Sequence, residues 1–125
     1  MIILDACVLA AFADANNTHH DAAISIMATI DQFAISALTG AEVMVQEQPE
    51  AAAIWENILT GFGIRVIDLT AADKSPLAAI RRETRLKMPD AVVVYAAHAN
   101  NATIATFDER LTKAAHNLGI TTHPI

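Results

Sequence analysis

The first five residues, Met1-Ile2-Ile3-Leu4-Asp5, constrain this chain more than any other stretch. Four apolar residues run directly into an acid, and Ala6-Cys7-Val8-Leu9-Ala10-Ala11-Phe12 follows at helical rather than alternating spacing. A short unbroken apolar run, β-branched at Ile2 and Ile3, predicts a strand covered on both faces, as in the middle of a parallel sheet. Asp5 then falls where a central strand ends and a helix begins, the edge at which open α/β sheets bind their ligands. A carboxylate with a core in front of it and behind it is costly unless it is partnered or used.

Beyond Asp5 the chain alternates. An amphipathic helix is predicted over 19–30, with Ala23, Ile26, Met27 and Ile30 on one face. A strand follows at Phe33 to Ser36, a helix from about Leu38 to Glu47, and a second helix from about Pro49 to Thr60, stopped by Gly61-Phe62-Gly63. A third strand is predicted over 64–69, and a helical region over 70–85 with Pro76 in a first turn. After a break at Leu86 to Pro89, a buried helix starts at Asp90 and runs through the valines to His98. A fourth strand at Thr103 to Thr106, a helix from Asp108 to Leu118 and an edge strand from Ile120 to Ile125 complete the order. Strands alternating with helices predict one α/β domain, residues 1–125, with a central parallel sheet between two helical layers.

Composition sets outer limits. At 54% hydrophobic residues in 125, the chain has material for a sizeable core and is not of disordered type. No apolar run reaches the roughly 18 residues of a membrane span, and no basic segment precedes the first apolar run, so no membrane or signal segment is expected. A single cysteine excludes an internal disulfide framework and fits a cytoplasmic protein. The formal charge of −6 argues against holding nucleic acid by bulk attraction. Any such contact must be local.

In a parallel sheet every strand-to-helix junction lies on one edge, so Asp5, Glu42 and Asp108, each following a strand, converge there. Asp90 joins them if the loop before it returns to that edge. Three or four carboxylates supply the oxygen donors that a hard cation such as Mg²⁺ takes. Each acid also has a structural reading. Thr39-Gly40-Ala41-Glu42 matches a capping box, and Asp90 and Asp108 stand where first-turn or N-cap acids stand.

Ile3-Leu4-Asp5-Ala6-Cys7, Leu38-Thr39-Gly40-Ala41-Glu42-Val43, Lys87-Met88-Pro89-Asp90-Ala91 and Thr106-Phe107-Asp108 resemble, in order and spacing, the four acidic motifs of PIN-domain ribonucleases. In length and element order the whole chain is similar to VapC-type toxins of toxin–antitoxin modules. The resemblance implies a three-layer α/β/α fold and an Mg²⁺- or Mn²⁺-dependent endoribonuclease. Its catalytic acids would be Asp5, Glu42, Asp90 and Asp108, with Asp5, Asp90 and Asp108 holding metal. It also implies a cognate antitoxin as partner, and a small toxin with an alanine-rich helix pair is expected to form a homodimer. Thr106 matches the hydroxyl residue that often precedes the last acid and is grouped with the RNA-contacting residues. Two departures bear on metal stoichiometry. Ala6 and Cys7 stand where many members carry Ser or Thr, and Leu111 stands where some carry a further acid or amide, with Glu109 as a substitute.

Five of the eight cations fall between Lys74 and Lys87. Lys74, Ala78, Arg81 and Arg85 share one helical face, with Arg82 beside it, and this stripe with Lys87 is the candidate RNA-backbone contact. The bland alternative is a solvated face. The five histidines show no metal-ligand spacing; His98 is expected to be packed, and Cys7 to be a small buried residue. Two other classes stay open. A catalytically silent RNA- or partner-binding module would keep the fold alone. A phosphoacceptor domain could use Asp5 and Asp68, but it needs an acid beside Asp5 and a lysine after the last strand, where this chain has Ala6 and His123-Pro124.

Overall fold

The computed structural model describes residues 1–45 and 50–124. Its sheet contains β1 (Ile2–Leu4), β2 (Phe33–Ser36), β3 (Arg65–Ile67), β4 (Thr103–Ala105) and β5 (Thr122–His123), in the order β3-β2-β1-β4-β5. Every pairing is parallel, with Ile2 opposite both Phe33 and Thr103. The helices are α1 (Ala6–Ala13), α2 (His20–Met27), α3 (Ala37–Met44), α4 (Ala51–Gly61), α5 (Lys74–Thr84), α6 (Met88–Ala99) and α7 (Glu109–Asn117), and a 3-10 turn at Ala71–Asp73 precedes α5. No helix among the described residues is long and apolar enough to cross a membrane.

The pleat explains the layers, because successive side chains of a strand face opposite ways. Ile3, Ala34 and Ile104 face a core built with α5, α6 and α7. Ile2, Leu4, Phe33, Ile35 and Ala105 face a second core containing Val8, Leu9, Met27, Val43, Trp55 and Leu59 from α1 to α4. The predicted three-layer α/β/α arrangement is therefore the one observed. β1 sits at its centre, with Ile3 and Leu4 wholly buried. The chain builds leftward from β1 through β2 to β3, then starts again on the other side with β4. That reversal leaves a crevice beyond the carboxyl ends of β1 and β4, the usual ligand position in such sheets.

Several boundaries differ from expectation, each for a local reason. Ser36, not Thr39, caps α3: its Oγ accepts from the Thr39 N–H at 3.1 Å, so the helix starts at Ala37. Glu42 thus lies in the second turn and belongs to no capping box. The predicted end of this helix at Glu47 and the start of the next at Pro49 lie outside the described residues. α2 stops at Met27, and Ile30, assigned to its apolar face, is fully exposed. The helix predicted from Asp90 begins at Met88, with Pro89 in its first turn, so Asp90 is a first-turn acid rather than the starting residue. α5 ends at Thr84 because Arg85 turns left-handed, at φ 58°, which takes Arg85 off the predicted basic stripe. His98, expected to be packed, is exposed on the last turn of α6.

Candidate active site

Asp5 is held from three sides. Its backbone N–H donates to the Ala105 carbonyl at 2.9 Å, which ties the end of β1 to β4. Its Oδ1 accepts from the Ala6 N–H at 2.8 Å, as the N-cap of α1. Its Oδ2 accepts from the Thr106 hydroxyl at 2.7 Å and from the Cys7 thiol at 3.2 Å. At 8% exposure this carboxylate is buried, and those donors are what permit it.

Thr106 links the first acid to the last. Besides donating to Asp5, its Oγ1 accepts from the Asp108 N–H at 3.1 Å. Asp108 then caps α7, its Oδ1 accepting from the N–H groups of Arg110 at 2.8 Å and Leu111 at 3.2 Å. Thr106 is 3% exposed, and its bonds to both acids suit a positioning role. Thr106→Val keeps the shape and removes both bonds. Since hydrogen bonds to charged groups contribute about 1.5–3 kcal/mol, a loss of that order in urea unfolding is expected. Thr106→Ser is expected to restore most of it; equal stability of the Val variant would show that the link carries no energy.

Glu42 and Asp90 complete the set electrostatically. Burial first, and then the charges of Asp5 and Asp90, push the Glu42 carboxyl above its ordinary range. Burial first, and then Asp5 and Asp108, do the same for Asp90, while Lys87 and Arg110 pull it back. The loop at Leu86–Lys87 has thus brought Asp90 within electrostatic reach of Asp5, Glu42 and Asp108. Of the predicted cations, Lys87 reaches this field; Arg81, Arg82 and Arg85 are exposed outside it.

Sequence reasoning missed two residues here. Arg110 acts on Asp90, and its only signal was its place two residues after Asp108 at a helix start. Cys7, expected to be an inert buried residue, is half-buried and bonded to Asp5, and its Sγ also accepts from the Phe107 N–H at 3.4 Å. Burial first, and then the Asp5 charge, push its thiol up to about 11. It therefore stays protonated at neutral pH and can donate to the carboxylate. Beside these groups a groove of about 560 Å³ runs between α1, α3 and α4, with Cys7, Asp14 and Glu42 at its polar side and Ala10, Ile54 and Trp55 at its apolar side.

The donor chemistry suits a hard divalent cation: the groups that act on one another at this edge are carboxylates, and no histidine is among them. Among the described residues no three His, Cys, Asp or Glu side chains are drawn together into a finished ligand set.

Fold and site together define a parallel α/β domain with an acidic crevice at its topological switch point. The PIN domain family matches residues 2–117, and the chain belongs to that family. Comparison with curated proteins by sequence finds no match. Among solved structures the chain is similar to a toxin–antitoxin complex from Klebsiella pneumoniae, at TM-score 0.71 and 20% identity over 90% of each chain. It is also similar to VapBC2 from Rickettsia felis, solved with a DNA fragment from its promoter, at TM-score 0.73 and 19% identity over 98% of each chain. A third neighbour is VapC20 from Mycobacterium tuberculosis, a sarcin-ricin loop cleaving toxin, at TM-score 0.71 and 20% identity, covering 91% of this chain and 95% of the other. At these identities the likeness shows the fold.

Proposed function

We propose that this chain, acting as a single domain, is a divalent-metal-dependent endoribonuclease and the toxin of a cytoplasmic type II toxin–antitoxin pair. The observation that carries this reading is the electrostatic influence on Asp90 of Asp5 and Asp108, and on Glu42 of Asp5 and Asp90, acids far apart in sequence, at the edge beyond β1 and β4. Family membership and the toxin neighbours support it. Asp5, Asp90 and Asp108 would hold Mg²⁺ or Mn²⁺, which when bound supplies activated water and offsets charge developing on the phosphate. Thr106 and Cys7 fix the Asp5 carboxylate, and the α7 N-terminus fixes Asp108, so neither acid has to reorganise as a phosphodiester enters. Glu42, whose side chain, like that of Asp90, accepts no hydrogen bond among those described, is proposed as the acid that takes a proton.

The groove beside Glu42 suits a segment of a cognate antitoxin that has an apolar side and a basic residue to meet Asp14 and Glu42. Exposed Ile24, Ile54, Phe62 and Met88 suit self-association, and a homodimer is the assembly proposed. Sedimentation at tens of micromolar showing monomer alone would remove the dimer and leave the nuclease intact.

The function is tested by incubating the purified chain with a mixed RNA pool under Mg²⁺, Mn²⁺ or chelator, beside Asp5→Asn. Cleavage that needs metal and Asp5 is expected. RNA left intact by the parent under both metals would favour the second reading, a silent binding module, which the unfinished ligand set supports.

A further inference from the structure

Of the eight lysines and arginines, Arg81, Arg82, Arg85 and Lys87 lie at or just after the end of α5, and Arg110 and Lys113 lie on α7. The last two are more than twenty residues from the others in sequence, and the fold sets α7 beside the end of α5. A seam of about 310 Å³ separates the end of α5 from α7, lined by Thr84, Leu86, Arg110, Lys113, Ala114 and Asn117. It continues as a smaller cavity of about 90 Å³ along the same helices, which includes Glu83. Arg110, Lys113 and Asn117 recur at i, i+3 and i+7, so they share one face of α7 over about 10 Å of helix. Arg110 stands at the end of the seam nearest Asp108 and Asp90.

None of these six charges forms an ion pair among the described residues, although Lys87 and Arg110 act on Asp90 at longer range. Among the described residues the one ion pair joins the N-terminus to Asp31, at 3.1 Å. Arg110 and Lys113 are exposed, and neither donates a side-chain hydrogen bond among those described. On a chain of net charge −6, cations without ion pairs lining a groove whose Arg110 acts on Asp90 call for a polyanion. The neighbouring acids explain the need. A phosphodiester brought to four carboxylates is repelled by them, and the flanking phosphates must be held by positive charge close by. The seam's lining contains no aromatic ring, so it offers no platform for base stacking.

We propose that this seam carries the sugar-phosphate backbone of the RNA to one side of the scissile bond, with Arg110 and Lys113 as phosphate contacts and Asn117 as a hydrogen-bond donor at its far end. It holds backbone and reads no bases, so it contributes affinity and leaves sequence choice to other surfaces. The assignment rests on the nuclease reading. An acidic segment of a protein partner would meet the same charges, but it would gain nothing from the seam's running into the acids.

The experiment compares the parent with Lys113→Ala, Lys113→Arg and the control Arg65→Ala, on two single-stranded oligoribonucleotides of unrelated sequence. Arg65 is exposed on the edge strand β3, outside the seam. Lys113→Ala is expected to raise KM several-fold, by the same factor for both RNAs. The slope of log(kcat/KM) against log salt should become shallower by about 0.7, the value for one lost single-strand phosphate contact. Lys113→Arg should keep the parent slope, and Arg65→Ala should match the parent throughout. An unchanged KM and slope in Lys113→Ala overturns the seam while the nuclease stands. If the parent cleaves no RNA, the nuclease reading fails, and fluorescence anisotropy of a labelled oligoribonucleotide still judges the seam. Weaker binding by Lys113→Ala upholds it, and equal binding overturns it. Loss of binding to poly-glutamate with RNA affinity intact would assign the seam to an acidic protein segment and overturn the proposal.

Discussion

Glu42→Gln is expected to lower metal-dependent RNA cleavage by on the order of a hundredfold or more while leaving the metal-free fold as stable as the parent or more so. The two halves of this result come from different facts. Activity should fall because Gln keeps the size of the side chain and removes the charge that a ligand or proton acceptor needs. Stability should hold because Glu42 caps nothing: Ser36 is the N-cap of α3, and the Thr39 N–H bonds to it. Removing one charge also relieves the repulsion from Asp5 and Asp90 that raises the Glu42 carboxyl. The contrasting variant is Ser36→Ala, which removes the cap and should cost about 0.5–2 kcal/mol. RNA cleaved at the parent rate by Glu42→Gln would reduce the working acids to three aspartates.

The second large effect is on thermal stability, and its sign follows from the same crowding. The ordinary values are 4.5 for Glu42 and 3.8 for Asp90, and both carboxyls are raised in the folded protein. A raised acid binds its proton more tightly when folded than when unfolded. Stability is therefore greatest below the ordinary value and is lost as pH rises through the folded one. Without metal the melting temperature should fall as pH rises from about 4.5, the ordinary Glu42 value, toward 7.5, and Glu42→Gln or Asp90→Asn should flatten that fall. Asp31 and Asp73 are shifted the other way, by the N-terminal ammonium and the Tyr95 hydroxyl respectively. Asp31 is exposed and Asp73 partly so, and their effect falls mainly below 3.8, outside this window. Mg²⁺ or Mn²⁺ should invert the trend, because metal binds the ionised acids and competes with protons. At roughly a hundredfold excess over Kd the gain is about 2.7 kcal/mol, a rise in Tm on the order of 10 °C for a chain of this length. A Tm unmoved by millimolar amounts of either ion at pH 7.5 would argue strongly against a metal site.

How much of the site was legible depended on how local its signals were. Asp5 stood out because an unbroken apolar run leading into a charge is unusual within five residues. Its partners did not, since the Thr106 hydroxyl that fixes its Oδ2 lies 101 positions away. Thr39-Gly40-Ala41-Glu42 satisfied a capping pattern by composition, yet Ser36 at the end of β2 was already in place to cap one turn earlier. The basic stripe was drawn on an uninterrupted helix, and the left-handed turn at Arg85 broke it.

What the sequence by itself determined is the alternation of strand and helix, the central position of β1, and therefore the common edge to which Asp5, Glu42 and Asp108 belong. Periodicity and apolar run length carry that much, because each is set by residues within one element. Only the tertiary structure decided that the loop before α6 brings Asp90 within electrostatic reach of the other acids. It also decided that Cys7 and Thr106 face Asp5 rather than core or solvent, and that Arg110 and Lys113 line a seam with the end of α5. Those outcomes depend on how the sheet is ordered and how helices cross it. Such choices are fixed by burying two apolar faces at once, and no single stretch of the chain encodes them.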